Sequence, residues 1–183
     1  GFFRPCGAFE LSRVGDVPLP QDTPYPGTVT LQVDASDTRQ GIYRVHERIP
    51  VQAGALTLLY PEWIPGDHSP TGPIAMLAGL KVSANGKPLG WKRDEFNVYA
   101  FHLDVPAGVS AIDVDFQYLS ERGDGFEMTD RMMMVEWNKL ALYPAGHYSR
   151  QITVVPSISL PSGWQFGTAL DTAGETGGTT TFK

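Results

Sequence analysis

From Thr28 onward apolar and polar residues alternate in short runs. Val29, Leu31 and Val33 alternate with Thr30, Gln32 and Asp34, the period of a strand with one buried face. Ile42 to Ile49 predicts a second strand, ended by Pro50, and Ala55 to Tyr60 a third, apolar enough to be covered on both faces. Phe96 to Val105 reads as a long strand stopped by Pro106, and Ile112 to Tyr118 is the cleanest alternation in the chain. Between Leu80-Lys81-Val82-Ser83 and Pro88-Leu89-Gly90-Trp91, the pair Asn85-Gly86 predicts a hairpin. Both residues tolerate the positive φ that matches natural strand twist. Met132 to Trp137, Gln151 to Val155, Ile158 to Leu160, Trp164 to Leu170 and Thr179 to Phe182 add short strand candidates, while Ile74 to Leu80 has mixed spacing and no assignment. No amphipathic run of helical length carries capping signals at both ends. About ten short strands separated by turn signals predict an all-β fold, a mostly antiparallel β-sandwich.

Chain breakers agree with that pattern: 20 glycines and 15 prolines stand among 183 residues. Prolines crowd residues 1–27, in Val17-Pro18-Leu19-Pro20 and Thr23-Pro24-Tyr25-Pro26-Gly27, where they remove donors and fix φ. The expected organisation is an irregular lead-in over 1–27 and a single β-sandwich domain over 28–183. The net charge is −6, without a basic stripe, which argues against a nucleic-acid partner. The single Cys6 leaves no intrachain disulfide and no multi-cysteine metal site. No apolar run approaches the roughly 18–20 residues that cross a bilayer, so no membrane partner is expected.

Most candidate chemistry fails on spacing. His46-Glu47-Arg48-Ile49-Pro50 starts like a zinc-binding His-Glu-x-x-His helix, but Pro50 stands where the second histidine is needed. His68, His102 and His147 are scattered, so no metal site is assigned. Asp113 and Asp115 share one strand face at about 7 Å, a separation that suits a pair of hydrolytic carboxylates. Their apolar neighbours Ile112, Val114 and Phe116 place them on the solvent face instead. Gly123-Asp124-Gly125 opens a dinucleotide fingerprint that Met128 fails to close, and reads as a surface turn. Trp63, Trp91, Trp137, Tyr143 and Tyr148 offer a platform for sugars or peptides, or simply core and edge packing. Met132-Met133-Met134 cannot converge on one ion from a strand, whose side chains point alternately to opposite faces. No catalytic residue is assigned.

Longer segments are more specific. Leu59-Tyr60-Pro61-Glu62-Trp63-Ile64-Pro65-Gly66-Asp67-His68 resembles the Pro-x-Trp-x-Pro-Gly-x-Tyr segment of the glycyl-aminopeptidase family, PDZ-bearing zinc metallopeptidases of the gluzincin type, with His68 in the tyrosine position. Leu77-Ala78-Gly79-Leu80, Arg93 to Phe101, Leu142 to Tyr148 and Leu160 to Leu170 are similar to further segments of that family. The resemblance runs from about Thr23 to the end and covers only the family's N-terminal β domain. It implies a saddle-like sandwich, as in aminopeptidase N-terminal domains, cut before a missing catalytic domain that holds the zinc. It also implies an exported bacterial parent, periplasmic or secreted. No cofactor is expected in this chain itself. The expected function is non-catalytic: to pack on the downstream catalytic domain of the same chain and to shape the cleft for a peptide substrate. A freestanding peptide- or carbohydrate-binding sandwich is the alternative. The candidate cleft or interface residues are Trp63, Asp67 and His68, in the proline-rich loop from Pro61 to Pro73. The competing role for Trp63 is a plug at the end of the core.

Overall fold

The structure, a computed structural model, describes residues 17–120 and 128–183. Cys6, most of the lead-in and the Gly123-Asp124-Gly125 turn lie outside the described residues. Twelve strands run in chain order among the described residues. They are β1 (Thr28–Asp34), β2 (Ile42–Pro50), β3 (Gly54–Leu59), β4 (Leu77–Ala84), β5 (Lys87–Leu89) and β6 (Trp91–Arg93). They continue as β7 (Ala100–Val105), β8 (Ala111–Leu119), β9 (Tyr143–Pro144), β10 (Thr153–Ser159), β11 (Thr172–Thr176) and β12 (Thr179–Phe182). Eight of them form one sheet in the order β11-β12-β10-β1-β2-β8-β4-β5, and four form a second, β6-β7-β3-β9. Pairing is antiparallel except between β1 and β10. The expected all-β sandwich is what the chain forms.

Alternation builds the core. Val29, Leu31 and Val33 of β1, Val45 and Ile49 of β2, and Ile112, Val114 and Phe116 of β8 turn inward from the large sheet. Leu58, Phe101, Leu103 and Val105 meet them from the small sheet. Asp113 and Asp115 lie on the opposite face, where Arg48 Nη1 donates to Asp113 at 2.8 Å and the His46 Nδ1 lies 2.8 Å from Asp115. The Asn85-Gly86 hairpin forms between β4 and β5, with φ of 50° and 73°. Beyond Leu89 the chain leaves that sheet, and Trp91–Arg93 pairs with β7 in the other.

Five strand expectations need correction. The strand expected over Phe96 to Val105 begins only at Ala100. Asp94 Oδ1 accepts the amides of Phe96 (2.8 Å) and Asn97 (2.9 Å), so a side chain takes the donors that a ladder would need. Gln151 to Val155 and Ile158 to Leu160 merge into one strand across Pro156. The missing donor there is harmless toward β12, which pairs only with Ser157 to Ser159. Trp164 to Leu170 is irregular; Phe166 packs edge-on against Phe182, and the next strand starts at Thr172. Met132 to Trp137 joins no ladder and runs into a 3-10 turn at Trp137–Lys139.

That last segment and the residues after it are held by side chains from β2 and by Tyr60, just past β3. The Tyr43 hydroxyl donates to the Met134 carbonyl at 2.7 Å, and the Tyr60 hydroxyl to the Lys139 carbonyl at 3.0 Å. Glu47 Oε1 accepts the Leu142 amide at 2.9 Å. Backbone groups carried across the core are thereby satisfied without a strand partner. Leu140 and Leu142, each 1% exposed, close the core above them.

Candidate functional site

The loop after β3 is built on its prolines and two close backbone contacts. Pro65 and Gly66 occupy the centre of a turn in which the Asp67 amide donates to the Ile64 carbonyl at 3.0 Å. Gly66 has φ of 96°, so Pro then Gly fits a type II turn. At the base, the Gly72 amide donates to the Glu62 carbonyl at 2.8 Å, and the Tyr99 hydroxyl donates to the Gly72 carbonyl at 3.2 Å. Gly72 does not have a positive φ; it is needed for space, since a Cβ there would lie 1.9 Å from the Pro61 carbonyl oxygen.

This frame separates the three candidate residues. Trp63 is 62% exposed, and the neighbouring Ile64, 8% exposed, is the residue that sinks into the protein. Trp63 is therefore not a plug at the end of the core; the buried residue of the pair is Ile64, which lies outside the main core cluster. Asp67 accepts a hydrogen bond from the Thr71 hydroxyl and steadies the loop tip, and His68 is exposed beside it. Trp63 instead lines a pocket of about 420 Å³ together with Pro61, Glu62, Leu142, Tyr143 and Glu47. Asp67 and His68 are not among the residues lining it.

Glu47 is the residue that the sequence reading passed over. It stands on the inward face of β2, in register with Tyr43, Val45 and Ile49, and is 0% exposed. Burial pushes its carboxyl well above the usual range, and the Leu142 amide bond opposes that only in part. Its Oε2 has no hydrogen-bond partner among the described residues. The signal was present in the alternation itself, which puts a carboxylate at a core position. Burial also raises the Tyr143 hydroxyl, with the Glu62 charge adding to the effect.

The other candidates disperse. On the outer face of the small sheet, His102 lies between the Thr57 hydroxyl (2.9 Å) and Asp94 (2.7 Å). That His102 contact, with the Phe96 and Asn97 amides, holds the Asp94 carboxyl down to about 2. His147 Nδ1 lies 2.9 Å from the Thr23 carbonyl and packs edge-on against Tyr25. Trp91 packs on Phe101 and Trp137 on Phe182, in different parts of the sandwich. Among the described residues no group of three His, Cys, Asp or Glu side chains is arranged to hold a metal ion.

The profile of the peptidase M61 N-terminal domain family matches residues 30–183. The chain belongs to this family. The match covers the N-terminal domain of M61 peptidases. Among solved structures it is similar to an aminopeptidase N family protein from Idiomarina loihiensis, at 16% identity and a TM-score of 0.64, over 84% of this chain and 27% of that one. The chain thus spans about a quarter of that relative's length. An M1 zinc metallopeptidase from Deinococcus radiodurans matches at 13% identity over 90% of this chain and 39% of its own, with a TM-score of 0.47. Yeast LTA4 hydrolase matches at 11% identity over 85% and 26%, with a TM-score of 0.46. Scores this low do not by themselves carry a shared architecture. No curated protein matches the chain in sequence. Within the described residues, His46 sits on a strand with Pro50 four residues on, so the start of a His-Glu-x-x-His sequence there leads to no second histidine.

Proposed function

We propose that this M61 N-terminal domain packs through its Pro61–Pro73 loop against a downstream catalytic domain of the same chain, and walls one side of a peptide-binding cleft there. The observation that carries this reading is Trp63. It is a large amphipathic ring, 62% exposed, on a loop whose base is fixed by backbone contacts. Such a ring, already ordered, loses little entropy when it is covered, and aromatic anchors of this kind dominate interface energies. In this reading the parent is a zinc aminopeptidase of the gluzincin type with a PDZ domain, exported by a bacterium to the periplasm or beyond. The zinc belongs to the catalytic domain, and this domain's part is steric: it limits the cleft to chain ends.

Trp63→Ala in the parent enzyme and in the 183-residue chain tests the docking. The expected outcome is an unchanged melting temperature for the chain and a loss of activity or of domain docking in the parent. Full activity and docking in the parent variant would remove Trp63 from the interface.

A further inference from the structure

The pocket beside the Trp63 loop, about 420 Å³, falls within the roughly 300–1,000 Å³ of sites that accept small ligands. Glu47, wholly buried, forms part of its wall. One carboxyl oxygen holds the Leu142 amide; the other, Oε2, has no hydrogen-bond partner among the described residues. Neither protonation state resolves this. An ionised Oε2 lacks a donor, and a protonated one lacks an acceptor for its own O–H. Anchoring Leu142 takes one oxygen only. A second carboxylate, Glu62, lines the same pocket, and no Lys, Arg or His is among the lining residues. The remaining walls are largely apolar, from Val29, Leu142, Ile152 and Val154. Trp63 supplies an exposed ring whose face attracts cations.

We propose that this pocket binds a cationic nitrogen on an apolar stem, its head donating to Glu47 Oε2 and its stem lying along the apolar walls toward Trp63. The Glu62 carboxylate repels an anion, and an apolar neutral group leaves Oε2 unpaired, so both bind more weakly than an ammonium. Two sources present this chemistry, a basic side chain and the α-ammonium of a peptide end. The inference stands on the pocket alone and is tested with Trp63 uncovered.

The test uses the isotope-labelled 183-residue chain and three probes, followed by NMR at the Leu142 amide and the Trp63 indole. N-acetyl-lysine methylamide carries only a side-chain ammonium, leucinamide only an α-ammonium, and N-acetyl-norleucine methylamide is the neutral analogue. Saturable shifts are expected with at least one ammonium probe, and which one responds identifies the source. The neutral analogue should bind about tenfold more weakly or worse, as should the ammonium probe to Glu47→Gln. If Glu47→Gln fails to fold, Glu62→Gln replaces it, with a several-fold loss expected. Three results overturn the proposal: no saturable shift with either ammonium probe, equal binding of the neutral analogue, or undiminished binding to the folded variant tested.

Discussion

Replacing Gly72 by alanine tests whether the loop is as closed as its geometry implies. An alanine Cβ would sit 1.9 Å from the Pro61 carbonyl oxygen, 2.9 Å from its carbon and 3.0 Å from Glu62 Cα. All three are backbone atoms, so no rotamer change relieves the contact, and the two arms of the loop must separate by an ångström or more. Overpacking of this kind costs about 1–3 kcal/mol. The movement also strains the Gly72 amide bond to Glu62 and the Tyr99 hydroxyl bond to Gly72, each worth roughly 0.5–1.5 kcal/mol. A total of about 2–4 kcal/mol is expected, since the hydrogen bonds are stretched before they are lost. For a domain of this size, that lowers the melting temperature by roughly 4–16 °C. Thermal unfolding by circular dichroism measures it, with Trp63 fluorescence reporting the loop. Gly90→Ala is the control, since a Cβ there meets nothing within 4 Å and φ is not positive. A loss below about 0.5 kcal/mol at Gly72, or one equal to the control, would mean that the loop is not closed at this contact.

Two other substitutions probe the frame and the buried carboxylate. Gly86→Val in the β4–β5 turn, where φ is 73°, should cost about 1–3 kcal/mol by urea unfolding from backbone strain alone, because the space around it is open. A change of a few tenths would mean that the turn is not left-handed. Glu47 has its carboxyl raised by burial, so its contribution to stability is complete below the ordinary carboxylate value of about 4.3 and is lost as pH rises toward and through the raised folded value. Glu47→Gln, with no proton to lose, should therefore show a flatter fall in stability between acid and neutral pH than the parent chain; parallel curves would contradict a raised carboxyl.

How much of this was legible in the sequence depended on how local the cause was. The alternation in β1, β2 and β8 and the Asn85-Gly86 turn are decided by neighbours a few residues away, and these elements formed where expected. Met132 to Trp137 has strand-like composition, but hydroxyls from Tyr43 and Tyr60 satisfy carbonyls in and just beyond it across long separations in the chain. No local pattern reveals that. Asp94 shortened a strand because a carboxylate two residues before Phe96 captures its amide, a competition that the apolar run over Phe96 to Phe101 conceals. The loop residues were found through the family segment, yet the division of labour between Trp63 and Ile64 was not, because prolines erase periodicity there. Glu47 was readable: a strand that buries Tyr43, Val45 and Ile49 must also bury the residue between the last two in register.

A domain that serves only to dock on a catalytic partner needs no catalytic chemistry of its own. The most direct measurement is zinc content after dialysis together with hydrolysis of glycyl and alanyl aminopeptidase substrates by the 183-residue chain. Substoichiometric zinc and no turnover above the buffer blank are expected. Stoichiometric zinc with chelator-sensitive turnover would contradict that role.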